Sequence, residues 1–490
     1  MGGLPVSTFK PLDINALLEE IPVMTAFIAD YYKDIETYPV RSQVEPGYLH
    51  RLLPDSAPRF PEPLTTILDD VRNDILPGLT HWQSPNFFAY FPGSASNPGI
   101  LGEMLTAALN VVGFNWISSP AATELEMIVM DWMAKFLRLP REFTFSGGGG
   151  GVMLGTTCEA IVGTMAAARD AALARIGFEG ITKLVIYASD QTHFAFQKAS
   201  KLVGIPPANF RVIVTSTASE HALPPESVRA AIDEDLARGL VPLYICATVG
   251  TTAVGAVDPL APLGDLAREY GIWLHVDAAY AGACAACVEY ERYFEGLDRA
   301  DSFSTNCHKW LLSNLDCCCL WVKNPGSLVS SLSTDAEILK NDVSEAKRVV
   351  DYKDWQISLS RRFRALKLWL VMRRFGADNL MSHIRSDVEM AEQFERMVEK
   401  DERFEVVAPR RFALVCFRLR PKKGGSCEMN RKLLGEVNAS GRAFLTHAVV
   451  EEKYVLRMVV GATLTEERHV YGTWKVIQDM ADGIVSEEYH

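Results

Sequence analysis

Apolar positions along this chain recur with two periods, and the change of period divides it. In residues 13–37, Ile14, Leu17, Leu18, Ile21, Ile28 and Tyr31 share one helical face. Asp13 is placed to cap that helix, and Pro22 is expected to kink or split it. A second helical pattern, Leu64, Ile67, Leu68, Val71 and Ile75, follows a proline-rich connector at 54–63. Neither helix has a sheet of its own, so each needs an apolar surface on the main domain or on a second subunit. From about residue 120 to 325, helical stretches alternate with the short apolar runs KLVIYAS, FRVIVTS, PLYICATVG, IWLHVDAA and CLWVK. That alternation predicts an α/β fold, a mostly parallel sheet covered by helices on both faces. In such sheets ligands sit at the carboxyl ends of the strands.

Residues 326–350 are polar and short of core positions, and read as a mobile connection of the kind from which lids are drawn. A helix then runs to Gly376, a good stop. From about 380 a long amphipathic helix leads into FEVVAP, FALVCFRL and YVLRMVVG, before a closing helix from Glu466. The expected division is an N-terminal helical segment over 1–85, a large domain over 86–378 and a small C-terminal α/β domain over 379–490. The stretch HWQSPNFFAYFPGSASNPG carries Trp82, Phe87, Phe88, Tyr90 and Phe91, more rings than a loop needs. It is either a clamp onto the core or, with VVGFNW at 111–116, a wall for an aromatic ligand.

Composition narrows the function classes. At 490 residues, 48% hydrophobic and 22% charged, the chain reads as a globular protein of two or three domains. A net charge of -12 argues against nucleic acid or an anionic membrane as partner. No run reaches eighteen apolar residues, and the opening MGGLPVSTFKPLD lacks the basic and apolar regions of a signal peptide. The expected compartment is the cytosol. Cys284 and Cys287 form a CxxC, and Cys317, Cys318 and Cys319 are consecutive. No second ligand pair stands at zinc spacing, so no metal is expected and the thiols read as buried and reduced.

The candidate chemistry gathers at strand ends. The run WLHVDAAYAG ends a strand on Asp277, and DSFSTNCHKW brings Asn306, His308 and Lys309 some thirty residues later. Pyridoxal phosphate chemistry asks for such a pair: an amine to condense with the aldehyde, and an acid to keep the pyridine nitrogen protonated. Ordinary packing is the competing reading of that pair alone. The run SGGGGGVMLGTTCEA opens a helix and suits a phosphate, with Thr157 and Cys158 in the first turn, or else is a plain flexible turn. As a dinucleotide fingerprint it is weak. His193 follows one strand, where its ring could stack on a cofactor, and Thr251 and Thr252 follow another.

These phrases, together with PGYLHRLLPDSAP, SSPAATELEMIV, SDQTHFAFQKA and VVDYKDWQISLSRRFR, resemble the plant aromatic L-amino acid decarboxylase family nearly end to end. That family comprises tyrosine and tryptophan decarboxylases and their aldehyde-forming relatives. The resemblance implies the type I pyridoxal phosphate-dependent fold and a homodimer with active sites at the subunit interface. By position it implies Lys309 as the Schiff-base lysine, Asp277 as the pyridinium partner, His193 as the stacking ring and His308 as a group near the substrate. Thr157, Cys158, Thr252, Ala279 and Asn306 fall where the family holds the cofactor. Trp82, Tyr90, Phe91, Pro92, Val112 and Phe114 fall in its aromatic pocket. Ser360 resembles the branch preferring phenolic substrates, which favours tyrosine, dopa or phenylalanine over tryptophan; Phe194 stands where relatives often have a smaller residue.

One position departs from the pattern. Where the family's decarboxylases carry a loop tyrosine, this chain reads TDAEILKN, with Ile338 at that place. A loop phenol is a suitable acid for protonating the α-carbon after carbon dioxide leaves, and such acids contribute about 10²- to 10⁴-fold. Isoleucine has no proton to give, so dioxygen can compete for the carbanion. The expected products are an arylacetaldehyde, carbon dioxide, ammonia and hydrogen peroxide. The alternatives are a decarboxylase that protonates by another route and releases the arylethylamine, and a catalytically silent homologue.

Overall fold

The alternating runs form one sheet, and their order in it explains where the chemistry collects. The computed structural model describes residues 10–346, 348–420 and 427–487; the first nine residues, part of the stretch read for an export signal, lie outside these. Seven strands are ordered β1-β7-β6-β5-β4-β2-β3: β1 Gly150–Leu154, β2 Leu184–Ser189, β3 Phe210–Ile213, β4 Val241–Thr248, β5 Trp273–Asp277, β6 Ser302–Asn306 and β7 Cys318–Val322. All run parallel except β7, which pairs antiparallel with both β1 and β6. The carboxyl ends of β1, β2, β4, β5 and β6 therefore share one edge. Strands β2, β5 and β6 are buried almost throughout, as expected of a sheet covered on both faces.

Strands β1 and β6 escaped the hydrophobic pattern. The glycine run does not open the helix: Gly150 and Gly151 lie inside β1, and the helix Thr157–Ile176 starts later, capped by Thr156. Packing explains the glycines. A Cβ on Gly151 would come within 2.4 Å of Met130 and 2.8 Å of Trp321, so the run seats neighbouring side chains against the strand. Strand β6, SFSTN, is polar yet buried because its hydroxyls are satisfied. Ser302 accepts from Trp273 Nε1 at 2.9 Å and bonds His275 Nδ1 at 2.8 Å, while Ser304 meets His275 Nε2 at 3.2 Å.

A second sheet, ordered β10-β11-β9-β8, is antiparallel throughout: β8 Phe404–Val406, β9 Leu414–Leu419, β10 Thr446–Val450 and β11 Lys453–Val459. The helical run Ala365–Lys400 leads into it and breaks at Gly376, whose φ of 73° and ψ of 165° leave the helical region. The closing helix is Glu467–Glu487.

Two further expectations are narrowed: the split at Pro22 and the extent of the mobile connection. The helix Ile14–Lys33 continues through Pro22 unsplit; no residue of it is buried, so the carbonyl deprived of its donor can be solvated. Asp13 caps it, accepting from the Asn15 N–H at 2.9 Å. Residues 326–350 are not one mobile connection. The helix Pro325–Leu332 buries Leu328, and Ser331 Oγ donates to Asp170 at 2.6 Å. The weakly packed part begins only after it. Among the described residues no helix is long and apolar enough to cross a membrane.

Candidate active site

The aromatic stretch is both a clamp and a wall. Phe87 and Phe88 are buried, and the Phe88 N–H donates to the Phe444 carbonyl of the second sheet's domain at 2.9 Å. At its other end the Ser94 N–H donates to the His308 carbonyl at 2.7 Å, and Ser94 Oγ to the Lys309 carbonyl at 2.7 Å. Stretched between these anchors, Trp82, Tyr90, Phe91 and Pro92 wall a cleft of about 1080 Å³. Trp82 and Tyr90 stack with centroids 5.6 Å apart, and Phe91 is backed by Tyr280 at 3.8 Å.

His308 and Lys309 reach this cleft from just beyond β6, His193 and Phe194 from beyond β2, and Thr252 from beyond β4. Lys309 Nζ lies 5.1 Å from the Phe91 ring centre and forms no ion pair with another described residue. Burial lowers its pKa, and the charge of Asp277 opposes that shift. Asp277, buried at the end of β5, holds the Ala279 N–H at 3.0 Å.

Both imidazoles have a set tautomer. His193 Nδ1 accepts the Ala195 N–H at 3.2 Å, and His308 Nδ1 accepts the Cys317 N–H at 2.9 Å. The proton of each neutral ring therefore sits on Nε2. Burial pushes the His308 pKa down to about 4 and lowers that of His193, where the Asp277 charge opposes burial and Lys309 adds to it.

Behind the cleft, Thr157 Oγ1 donates to Asn306 Oδ1 at 3.0 Å, joining the first turn of its helix to the end of β6. Half-buried Cys158 follows, and the free N–H groups of this turn suit an anion. Thr251 is structural, its hydroxyl accepting from the Ala256 N–H at 2.9 Å; Thr252 is the residue that faces the cleft.

The structure does not bring every expected residue here. Val112, Phe114 and Ser360 do not line the cleft of their own chain, and Val112 and Ser360 are exposed. Ile338 is 92% exposed and also lies outside it. Sequence reasoning missed Arg457, a buried guanidinium in the cleft wall. It donates to the carbonyls of Ala253 and Tyr90 and to Thr446 Oγ1, with no carboxylate partner among the described residues. Its signal was present: a cation inside the apolar run YVLRMVV.

The donor set fits pyridoxal phosphate. An amine without an ion pair can take the aldehyde, a buried carboxylate can face the ring nitrogen, an imidazole can cover a ring face, and a helix N-terminus can take the phosphate. The buried hydroxyl of Thr248, which ends β4 beside Asp277, has no hydrogen-bond partner among the described residues, as a polar group waiting for a ligand would. Fold and site together define a pyridoxal phosphate-dependent enzyme of the type I fold.

The chain belongs to the pyridoxal-dependent decarboxylase family, whose conserved domain matches residues 46–420. It is 59% identical over 469 residues to the phenylacetaldehyde synthase of Petunia hybrida, covering 94% of this chain and 93% of that one. To the tyrosine decarboxylase of Papaver somniferum it is 56% identical, covering 99% and 100%. The crystal structure of Rhodiola rosea 4-hydroxyphenylacetaldehyde synthase superposes with a TM-score of 0.93 at 53% identity, covering 97% of this chain and 100% of that one.

Proposed function

We propose that this enzyme converts an aromatic L-amino acid, dioxygen and water to an arylacetaldehyde, carbon dioxide, ammonia and hydrogen peroxide. The observation that carries the reading is Ile338, which has no proton to give at the place where the resemblance calls for a phenol. When bound, pyridoxal phosphate supplies the electron sink that lets the α-carbon lose its carboxyl group. Lys309 would anchor the cofactor through Nζ, and Asp277 would hold the proton at the pyridine nitrogen. His193 would cover the ring; Thr157, Cys158, Thr252, Ala279 and Asn306 would orient the rest. Trp82, Tyr90, Phe91 and Pro92 receive the aromatic side chain, and Arg457 offers its unpaired charge to the substrate carboxylate.

The competing fate is protonation, and here the chain is poorly equipped. His193 and His308 each offer one Nε2–H, but both are neutral rings and so weak acids. Dioxygen therefore takes the electrons that a loop acid would have quenched. The second reading, a decarboxylase releasing the arylethylamine, rests on those same two imidazole protons.

The working unit in this reading is a homodimer with shared sites, in the cytosol, its chain divided near residues 85 and 378. Three observations support the shared site. Ile338 is exposed on its own chain, Val112, Phe114 and Ser360 lie outside their own cleft, and the helix Ile14–Lys33 leaves Leu17, Leu18, Ile21 and Met24 uncovered. With Ser360 narrowing the pocket, phenylalanine, tyrosine and dopa are favoured over tryptophan. Incubation with phenylalanine and tyrosine under air tests the product: the expectation is one peroxide and one ammonia per aldehyde. Stoichiometric amine without peroxide establishes the second reading instead.

A further inference from the structure

We propose that Cys307, Cys317 and Cys319 form a three-coordinate thiolate site for copper(I), set directly behind His308. The three Sγ atoms lie within 4.8 Å of one another, and Cys307 and Cys319 approach to 3.6 Å. All three are buried and free. The site follows from the antiparallel pairing of β6 with β7. Cys307 stands just past β6, and its N–H donates to the carbonyl of Cys317, just before β7, at 2.9 Å. Cys319 is the second residue of β7.

Three sulfurs around an ion at about 2.3 Å stand about 4.0 Å apart in a planar triangle, so small side-chain adjustments close the site. Thiolate ligands select soft ions, and the choice among these turns on the number of ligands. Structural zinc is held by four protein ligands, and among the described residues no fourth sulfur or imidazole joins these three. Cys318 follows the opposite face of β7 by strand alternation, and His308 Nδ1 is occupied by the Cys317 N–H. The Ser313 hydroxyl, buried in the turn before Cys317, has no hydrogen-bond partner among the described residues. Each thiol that becomes a ligand releases its proton to solvent; copper stays monovalent and no electron moves. The way in is the short segment 311–316, whose Asn314 and Leu315 line the substrate cleft.

Anaerobic titration of the pyridoxal phosphate-loaded enzyme with copper(I), against a competing chelator, tests this. One equivalent binds, and X-ray absorption shows a shell of three sulfurs at about 2.3 Å. Cys307→Ala, Cys317→Ala and Cys319→Ala each weaken binding at least about tenfold, whereas Cys427→Ser, at a half-buried thiol elsewhere, leaves it unchanged. A shell of oxygen, nitrogen or two sulfurs in the unsubstituted enzyme overturns the proposal, whatever the variants do. So does copper that the chelator removes completely, or binding that survives all three substitutions.

Discussion

The floor of the cleft and the segment after residue 332 are built in opposite ways. The floor is the ends of buried parallel strands: Val276 and Ala278 flank Asp277 with no exposed surface, and Trp310 behind Lys309 is as deeply buried. The segment around Ile338 has no buried residue from 333 to 346, and its ion pairs, Lys340 with Asp335 and Glu337, stand in solvent. Packing holds the first region in place whether or not substrate is present. The second can take up its working position only against something else, which in our reading is the other subunit. In that reading the division suits the chemistry: the step shared by the family would sit on rigid strands, and the step that chooses a product on a part that can change without disturbing the core.

The largest effect tests the floor. Lys309→Ala removes the amine that in our reading anchors the cofactor, and turnover of any amino acid is expected to fall by about 10⁴-fold or more. Product formation is the measurement, with the melting temperature as control for folding. Retained turnover breaks the comparison, because the chemistry would then not depend on the floor.

The next effect tests the loop. Ile338→Tyr supplies a phenol, and the amine-to-aldehyde ratio is expected to rise by about 10²-fold or more. The result is read by chromatography of both products beside peroxide. An unchanged ratio returns the product choice to the floor, to His308 or His193, and erases the division of labour.

How much of this was legible in the chain follows the same division. Asp277 and His193 were legible because one ends and the other follows an apolar run, and a run's end in a parallel sheet is an address; Lys309 was legible only from its spacing to Asp277. Strand β6 was not, because its burial depends on hydroxyls meeting Trp273 and His275, which no periodicity reports. The glycines of β1 looked like a phosphate cradle because nothing in the sequence tells room for a ligand from room for Trp321. Arg457 was hidden inside a core strand. Val112 and Phe114 were flagged only as part of VVGFNW and Ser360 only by the resemblance, and neither signal tells which chain completes which cleft.

Acid offers a smaller effect that separates the regions again. Burial pushes both His275 and His308 down to about 4, against about 6.5 for histidine in an unfolded chain. Between those values the unfolded chain binds more protons than the folded one, so stability falls as pH drops and is recovered as pH rises past 6.5. At pH 5 the loss is about 2 kcal/mol for each histidine. Denaturant midpoints at pH 7.5 and 5 measure it, and His275→Gln flattens the slope. Substitutions among the exposed charges near Ile338 leave that slope unchanged. A slope carried by those charges instead would mean that the segment is packed on the core.

The smallest effect is the sharpest test of the contrast, because it compares two single substitutions of apolar residues. Ile338 is 92% exposed, so its side chain contributes almost no buried area, and Ile338→Ser is expected to change unfolding free energy by less than about 0.5 kcal/mol. Val276 has no exposed surface and stands one residue before Asp277. Val276→Ala removes two buried methyl groups and leaves a cavity that a sheet covered on both faces cannot close, costing about 2 kcal/mol. The measurement is a denaturant midpoint for each at micromolar protein, repeated at tenfold dilution. If Ile338 rests on a second subunit, whatever it costs at the higher concentration shrinks as dimer is diluted away, while the cost of Val276→Ala stays constant. A cost for Ile338→Ser near that of Val276→Ala at every concentration would place the isoleucine in its own chain's core. The product-deciding position would then be as rigid as the floor, and the two regions would differ in chemistry only.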